Sequence, residues 1–83
     1  MIDLDEIHSR ALPIFQTVFE DPSFELQPTL RMGEIEAWDS FNQINLMLGI
    51  ETEFGIEFEQ EEMAELLSVE AILGAVERRL SAT

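Results

Sequence analysis

The chain has 83 residues, 46% of them apolar, and sets 18 carboxylates against four arginines and no lysine, for a formal charge of -14 at pH 7. A chain of this length suits one small domain spanning residues 1–83 and leaves little room for a deep catalytic cleft. The lack of cysteine excludes disulfides, thiol catalysis and thiolate metal sites, and a single histidine excludes multi-histidine zinc sites and leaves a histidine-based triad unsupported, so no catalytic residue and no metal site is expected.

From Leu4 the apolar residues recur as Leu4, Ile7, Ala11, Phe15, Val18 and Phe19, spacings of three and four that make one helical stripe. Asp3 is placed to cap this first helix, with Glu6 completing a capping box, while Pro13 removes a hydrogen bond to the Ser9 carbonyl and should kink or split it. Glu20 to Trp38 holds Pro22, Pro28 and Gly33 among scattered apolar residues, which predicts a long loop lying over the core, with a helical turn near Thr29 to Met32. The second helix is expected from Ser40 to Phe54, stopped by Gly55, and Ile56 and Phe58 anchor the connection that follows. Glu61 to Leu66 suits a short helix, and Ser68 caps a last helix with Arg78 and Arg79 near its negative end. The fold class is therefore all-α: a small four-helix bundle of three main helices and one short one, with its longest loop between helices 1 and 2.

The second helix is apolar over more than one face. At about 100° per residue with Ile44 at zero, Leu46, Met47, Ile50 and Phe54 fall between roughly 200° and 300°, the core side. Phe41, Ile44 and Leu48 fall between roughly 0° and 60°, beyond what one packed face of a small bundle needs. Either the loop or the short helix covers them, or they form an exposed apolar edge rimmed by acids, the usual form of a partner-docking site. At the helix start, Ser40 followed by Gln43 is a capping-box pattern and Asp39 is also a good cap, so the residues alone allow Ser40 a purely structural role. An exposed serine at a helix start also suits covalent modification by another enzyme.

The run from Asp39 through Ser40, Phe41, Asn42, Gln43, Ile44 and Asn45 to Glu51, Phe54, Gly55 and Ile56 closely resembles the Asp-Ser-Leu segment and following helix of acyl carrier proteins. The resemblance extends over nearly the whole chain, taking in the acidic first helix, the long loop, the Glu-x-x-Phe-Gly-Ile close of the second helix and the Ser-Val-x-x-Ile that opens the last. It implies a carrier rather than an enzyme: Ser40 holds 4′-phosphopantetheine through a phosphodiester, Asp39 is the adjacent motif residue, and the arm's thiol carries acyl groups as thioesters. It further implies that Phe41, Ile44, Asn45, Leu48 and Glu51 form the partner-facing edge. Phe41 stands where the family usually has leucine and Asn45 where fatty-acid-synthesis carriers have glutamate, which favours a specialised fatty acid, polyketide or other acyl or aminoacyl transfer pathway.

The expected partners are a phosphopantetheinyl transferase and acyl-loading and acyl-using enzymes with basic docking surfaces. The acidic charge would be repelled by nucleic acid and by anionic membranes, whereas it attracts basic protein surfaces. The apolar stretches are short, and Met1 to Glu6 lacks the basic region of a signal peptide, which together predict a cytoplasmic monomer. The alternative from another class is an acidic helical interaction domain in which Ser40 is only a helix cap.

Overall fold

The computed structural model of the chain describes residues 3–81 and holds four helices: α1 (Leu4–Phe19), α2 (Ser40–Phe54), α3 (Gln60–Met63) and α4 (Val69–Ser81). Asp3 caps α1 by accepting the Glu6 N–H at 2.8 Å, but the Glu6 carboxylate turns outward to Arg10 Nη1, 3.7 Å away. Pro13 does not split the helix, which runs unbroken from Leu4 to Phe19 with the proline on its exposed side. Ile7, Ala11, Phe15 and Phe19 are buried as the spacing predicts, whereas Leu4 is exposed. None of the helices is long and apolar enough to cross a membrane among the described residues.

The loop between α1 and α2 is held at both ends by aromatic packing. Phe24 near its start stacks on Phe15 with ring centroids 5.8 Å apart, and Trp38 at its end meets Phe15 edge-on at 6.1 Å and Phe19 at 5.5 Å. The middle of the loop serves α4, whose first N–H groups have no partner inside their own helix. Leu30 and Pro28 carbonyls accept from Val69 and Glu70 at 3.0 Å each, the Ser68 hydroxyl accepts from Ala71 at 3.2 Å, and Met32 donates to the Leu67 carbonyl at 2.8 Å. These bonds displace the helical turn expected at Thr29 to Met32: the chain turns at Pro28–Thr29 and Arg31 then pairs with Ser68 in an isolated antiparallel bridge. An extended backbone reaches a neighbouring segment that a local turn would not. Leu26, Leu30, Met32 and Ile35 pack on the core from this loop as the sequence predicts.

One polar side chain enters the centre of this arrangement. Gln43 is buried on α2 and accepts the Trp38 indole N–H on Oε1 at 2.6 Å while donating through Nε2 to the Leu66 carbonyl at 2.8 Å. Its amide thereby ties the end of the loop, α2 and the connection into α4 at one point. The expectation that Gln43 completes a cap with Ser40 is replaced by this role. At about 260° on the same helical wheel Gln43 falls inside the core arc, the signal that marks it as buried.

Helix α1 packs mainly on α2 and α4. Gly49 is what lets α1 come close to α2, since a Cβ there would lie 2.8 Å from Ile14 Cγ2. Arg10 binds the end of α2 from α1: its guanidinium donates to the Glu53 carboxylate at 2.9 Å and to the Glu53 carbonyl at 2.6 Å, and it lies 4.6 Å over the Phe54 ring. Helix α3 begins one residue earlier and ends three sooner than the expected Glu61 to Leu66, because the chain must straighten at Leu66 to bury its side chain and offer its carbonyl to Gln43. Arg79 of α4 pairs with Glu62 of α3 and lies over the Phe58 ring.

The Gly49→Ala variant is expected to be less stable than Gly74→Ala by about 1 to 3 kcal/mol in urea unfolding, since the first methyl strikes Ile14. At Gly74 the added Cβ meets only the tip of Arg78 at 3.5 Å, so that variant should gain about 0.5 to 1 kcal/mol from helix propensity. Gln43→Leu should lose about 1 to 3 kcal/mol for each buried group it leaves unpaired, the Trp38 N–H and the Leu66 carbonyl, in unfolding followed by Trp38 fluorescence. A net charge of -14 leaves most carboxylates without a cation, and three ion pairs form among the described residues. The melting temperature should accordingly rise between about 0.05 and 0.5 M sodium chloride as screening shortens from roughly 14 to 4 Å.

Candidate functional site

Ser40 is the first residue of α2 and is exposed. The cap of this helix is Asp39, whose backbone is extended and whose Oδ1 accepts the Asn42 N–H at 2.8 Å. A single side-chain acceptor at the cap position satisfies that N–H, so the Ser40 hydroxyl is not needed by the helix. The two capping possibilities left open by the sequence are thus resolved in favour of Asp39. Trp38 behind it is fully buried and held by Gln43, so the chain leaves the core at Trp38 and presents Asp39 and Ser40 at the surface within two residues.

The edge leading away from Ser40 is open. Phe41, Ile44 and Leu48 are 72%, 61% and 56% exposed, so neither the loop nor α3 covers them. Leu46, Met47, Ile50 and Phe54 are buried on the other side, as the angular count predicts. The polar residues of the edge are amides: Asn42 donates to the Ala37 carbonyl at 2.8 Å, and Asn45 donates to Asn42 Oδ1 at 3.3 Å. The expected rim of free acids is not present along this stretch, because α2 has no acidic residue in its first turn and its two carboxylates are engaged. Glu51 Oε2 accepts the Phe58 N–H at 2.8 Å, joining α2 to the connection after it, and Glu53 is held by Arg10. Glu51 is therefore half-buried and structural as well as near the edge.

Below the edge, Gln43, Ile44, Met47, Leu48, Glu51 and Met63 line a half-open recess of about 130 Å³ between α2 and α3. Met63 is a lining residue that sequence reasoning did not single out, since only the chain's return past α2 brings α3 there. A larger open groove at the far end of α2 is lined by Leu48, Thr52, Phe58, Glu57, Glu59 and Arg79. His8 lines a separate recess with Leu26, Val69 and Leu73, a lining that shares no residue with the Ser40 end of α2. No group of three or more His, Asp or Glu side chains among the described residues is arranged to hold a metal ion.

The sequence matches no family model and no curated protein. The fold does match a solved structure, that of the holo acyl carrier protein from Geobacter metallireducens determined in solution by NMR, with a TM-score of 0.79 and 32% sequence identity. The match covers 99% of this chain and 90% of that one, so it takes in all four helices and the long loop rather than a shared helical pair. With the same architecture, that level of identity and an exposed serine preceded by aspartate at the start of α2, this chain belongs to the acyl carrier protein family.

Proposed function

We propose that Ser40 is the attachment point of a 4′-phosphopantetheine arm and that residues 1–83 act as one carrier domain for acyl or related groups. The observation that carries this reading is the division of labour at the α2 start, where Asp39 holds the cap and Ser40 is exposed beside it. A serine serving as the cap of a Ser40–Gln43 box, the alternative reading, would accept the Gln43 N–H, and here that N–H goes to the Asp39 carbonyl at 2.9 Å. The relative being a holo carrier protein supports the same assignment.

The residues fit the arm chemically. Ser40 Oγ forms the new bond to phosphorus while the pyrophosphate link of coenzyme A breaks, adenosine bisphosphate leaves and the hydroxyl proton passes to the transferase. The resulting phosphodiester sits at the positive end of α2, where a negative group is favoured by a few tenths of a kcal/mol to about 1 kcal/mol. When attached, the arm supplies the thiol that a cysteine-free chain lacks, and that thiol holds the cargo as a thioester. The protein's own residues present the arm and catalyse nothing. The recess lined by Ile44, Met47, Leu48 and Met63 offers an apolar surface of about 130 Å³ in volume against which a cargo could rest.

The partners are a phosphopantetheinyl transferase and the enzymes that load and use the acyl group, met by a cytoplasmic monomer whose net charge of -14 steers it toward basic surfaces. Phe41 and Asn45, both exposed on the partner-facing edge and both departing from the common family residues, support a specialised fatty acid, polyketide or other acyl or aminoacyl transfer pathway over general fatty acid synthesis.

Incubation with coenzyme A and a broad-specificity phosphopantetheinyl transferase should add the mass of one phosphopantetheine to the parent protein and none to Ser40→Ala, with helical circular dichroism retained in both. Modification of the alanine variant, or no modification of the parent by several transferases, defeats the proposal.

A further inference from the structure

A recess of about 290 Å³ lies between the start of α1, the loop and α4, away from the Ser40 end of α2. Val69 and Leu73 form its buried floor, and Leu4 and Leu26 flank it. Leu4 belongs by spacing to the stripe that α1 buries, yet it is 47% exposed beside this recess. Glu70 and Glu77 complete the lining from α4, and both are exposed. Seven residues are about two helical turns, so the two carboxylates share one face of α4 with their Cα atoms about 10 Å apart. Gly74 between them carries no side chain to obstruct that line, and unlike Gly49 it is not required by close packing, since an added Cβ would meet only Arg78.

These two acids differ from those around α2. Asp39, Glu51, Glu53 and Glu62 are engaged by backbone donors or arginines, whereas the Glu70 and Glu77 carboxylates have no hydrogen-bond or ion-pair partner among the described residues. Arg78, next to Gly74, pairs with neither. The geometry points to a small-molecule site for a linear aliphatic diamine, its ammonium groups at Glu70 and Glu77 and its methylene chain over Leu73 between Leu4 and Leu26.

Charge complementarity decides the occupant. A carboxylate or phosphate amphiphile is repelled by both acids and by the net charge of -14, and a second copy of the chain is repelled likewise. The volume lies at the small end of ligand pockets, which run from roughly 300 to 1,000 Å³, and so suits one short chain rather than a packed helix. Exposed ion pairs are weak singly. Two joined by a chain of matching length act together, because the first contact holds the second ammonium close to its carboxylate.

The test titrates octamethylenediamine into the full chain and follows backbone amide shifts by NMR. Saturable shifts centred on Val69, Leu73 and Gly74 are expected, with affinity about fivefold or more above that of octylamine, which has one ammonium, and of trimethylenediamine, which is too short to span the pair. Octanol should bind more weakly still. Glu70→Gln and Glu77→Gln, both at exposed positions, should each lower the diamine affinity to that of octylamine with unchanged circular dichroism. Leu4→Ser should weaken diamine and octylamine alike by about threefold, since it removes apolar surface and no charge. Equal binding of the diamine and octylamine, diamine affinity unchanged in the glutamine variants, or shifts spread over the acidic surface that trimethylenediamine reproduces would each overturn the proposal. Tighter binding of a tetralysine peptide than of the diamine at the same amides overturns it too, assigning the recess to a basic protein segment.

Discussion

The two hydrogen bonds of the Gln43 amide are the constraint on which the rest of the structure turns. A nineteen-residue connection from Glu20 to Trp38 has a large conformational entropy to lose, and aromatic packing alone fixes its position but not the orientation of its last residues. The bond from the Trp38 indole to Gln43 fixes that orientation, and the bond from Gln43 to the Leu66 carbonyl locks the same point to the far side of the bundle. Because both partners are buried, each bond is costly to break, which makes a single amide effective as a fastening. The surface exit of Asp39 and Ser40 follows directly, one residue past a fully buried tryptophan.

Helix α2 divides its apolar residues between two tasks. Leu46, Met47, Ile50 and Phe54 are withdrawn from water and hold the bundle together, at about 1.5 to 3 kcal/mol for each large side chain. Phe41, Ile44 and Leu48 remain in water, where they contribute little to folding. The helix can afford this second stripe because α1 already covers the first one closely, through the contact that Gly49 permits against Ile14. Stability is thereby carried by one side of the element, so the exposed residues of the other side can change without loosening the core.

Two of the four arginines are used as ties between elements. Arg10 joins α1 to the end of α2 through a carboxylate, a carbonyl and an aromatic face together, and Arg79 joins α4 to α3 and to Phe58. Exposed ion pairs of this kind are worth at most about 1 kcal/mol each. Here the long arginine stems also cover apolar surface, which a bare charge pair would not. The uncompensated carboxylates lie outside residues 40–50, so the molecule carries a strong long-range field while that stretch of α2 bears no charge of its own.

Much of this protein was legible in its sequence. Apolar spacing located α1, α2 and α4, the angular count separated the buried from the exposed stripe of α2, and the Asp39–Ser40 motif within its surroundings pointed to the acyl carrier protein family; all of these depend on residues near one another in the chain. The sequence left open one choice between neighbours and several that depend on partners farther apart along it. Asp39 and Ser40 were both plausible caps until backbone geometry placed Asp39 Oδ1 on the Asn42 N–H. The turn expected at Thr29 to Met32 gave way to a bridge with Ser68, α3 ended early because Leu66 was needed by Gln43, and the acids of α2 proved to be occupied by Phe58 and Arg10. A local pattern states which groups a residue can offer, whereas only the packed chain decides which distant donor or acceptor arrives to take them.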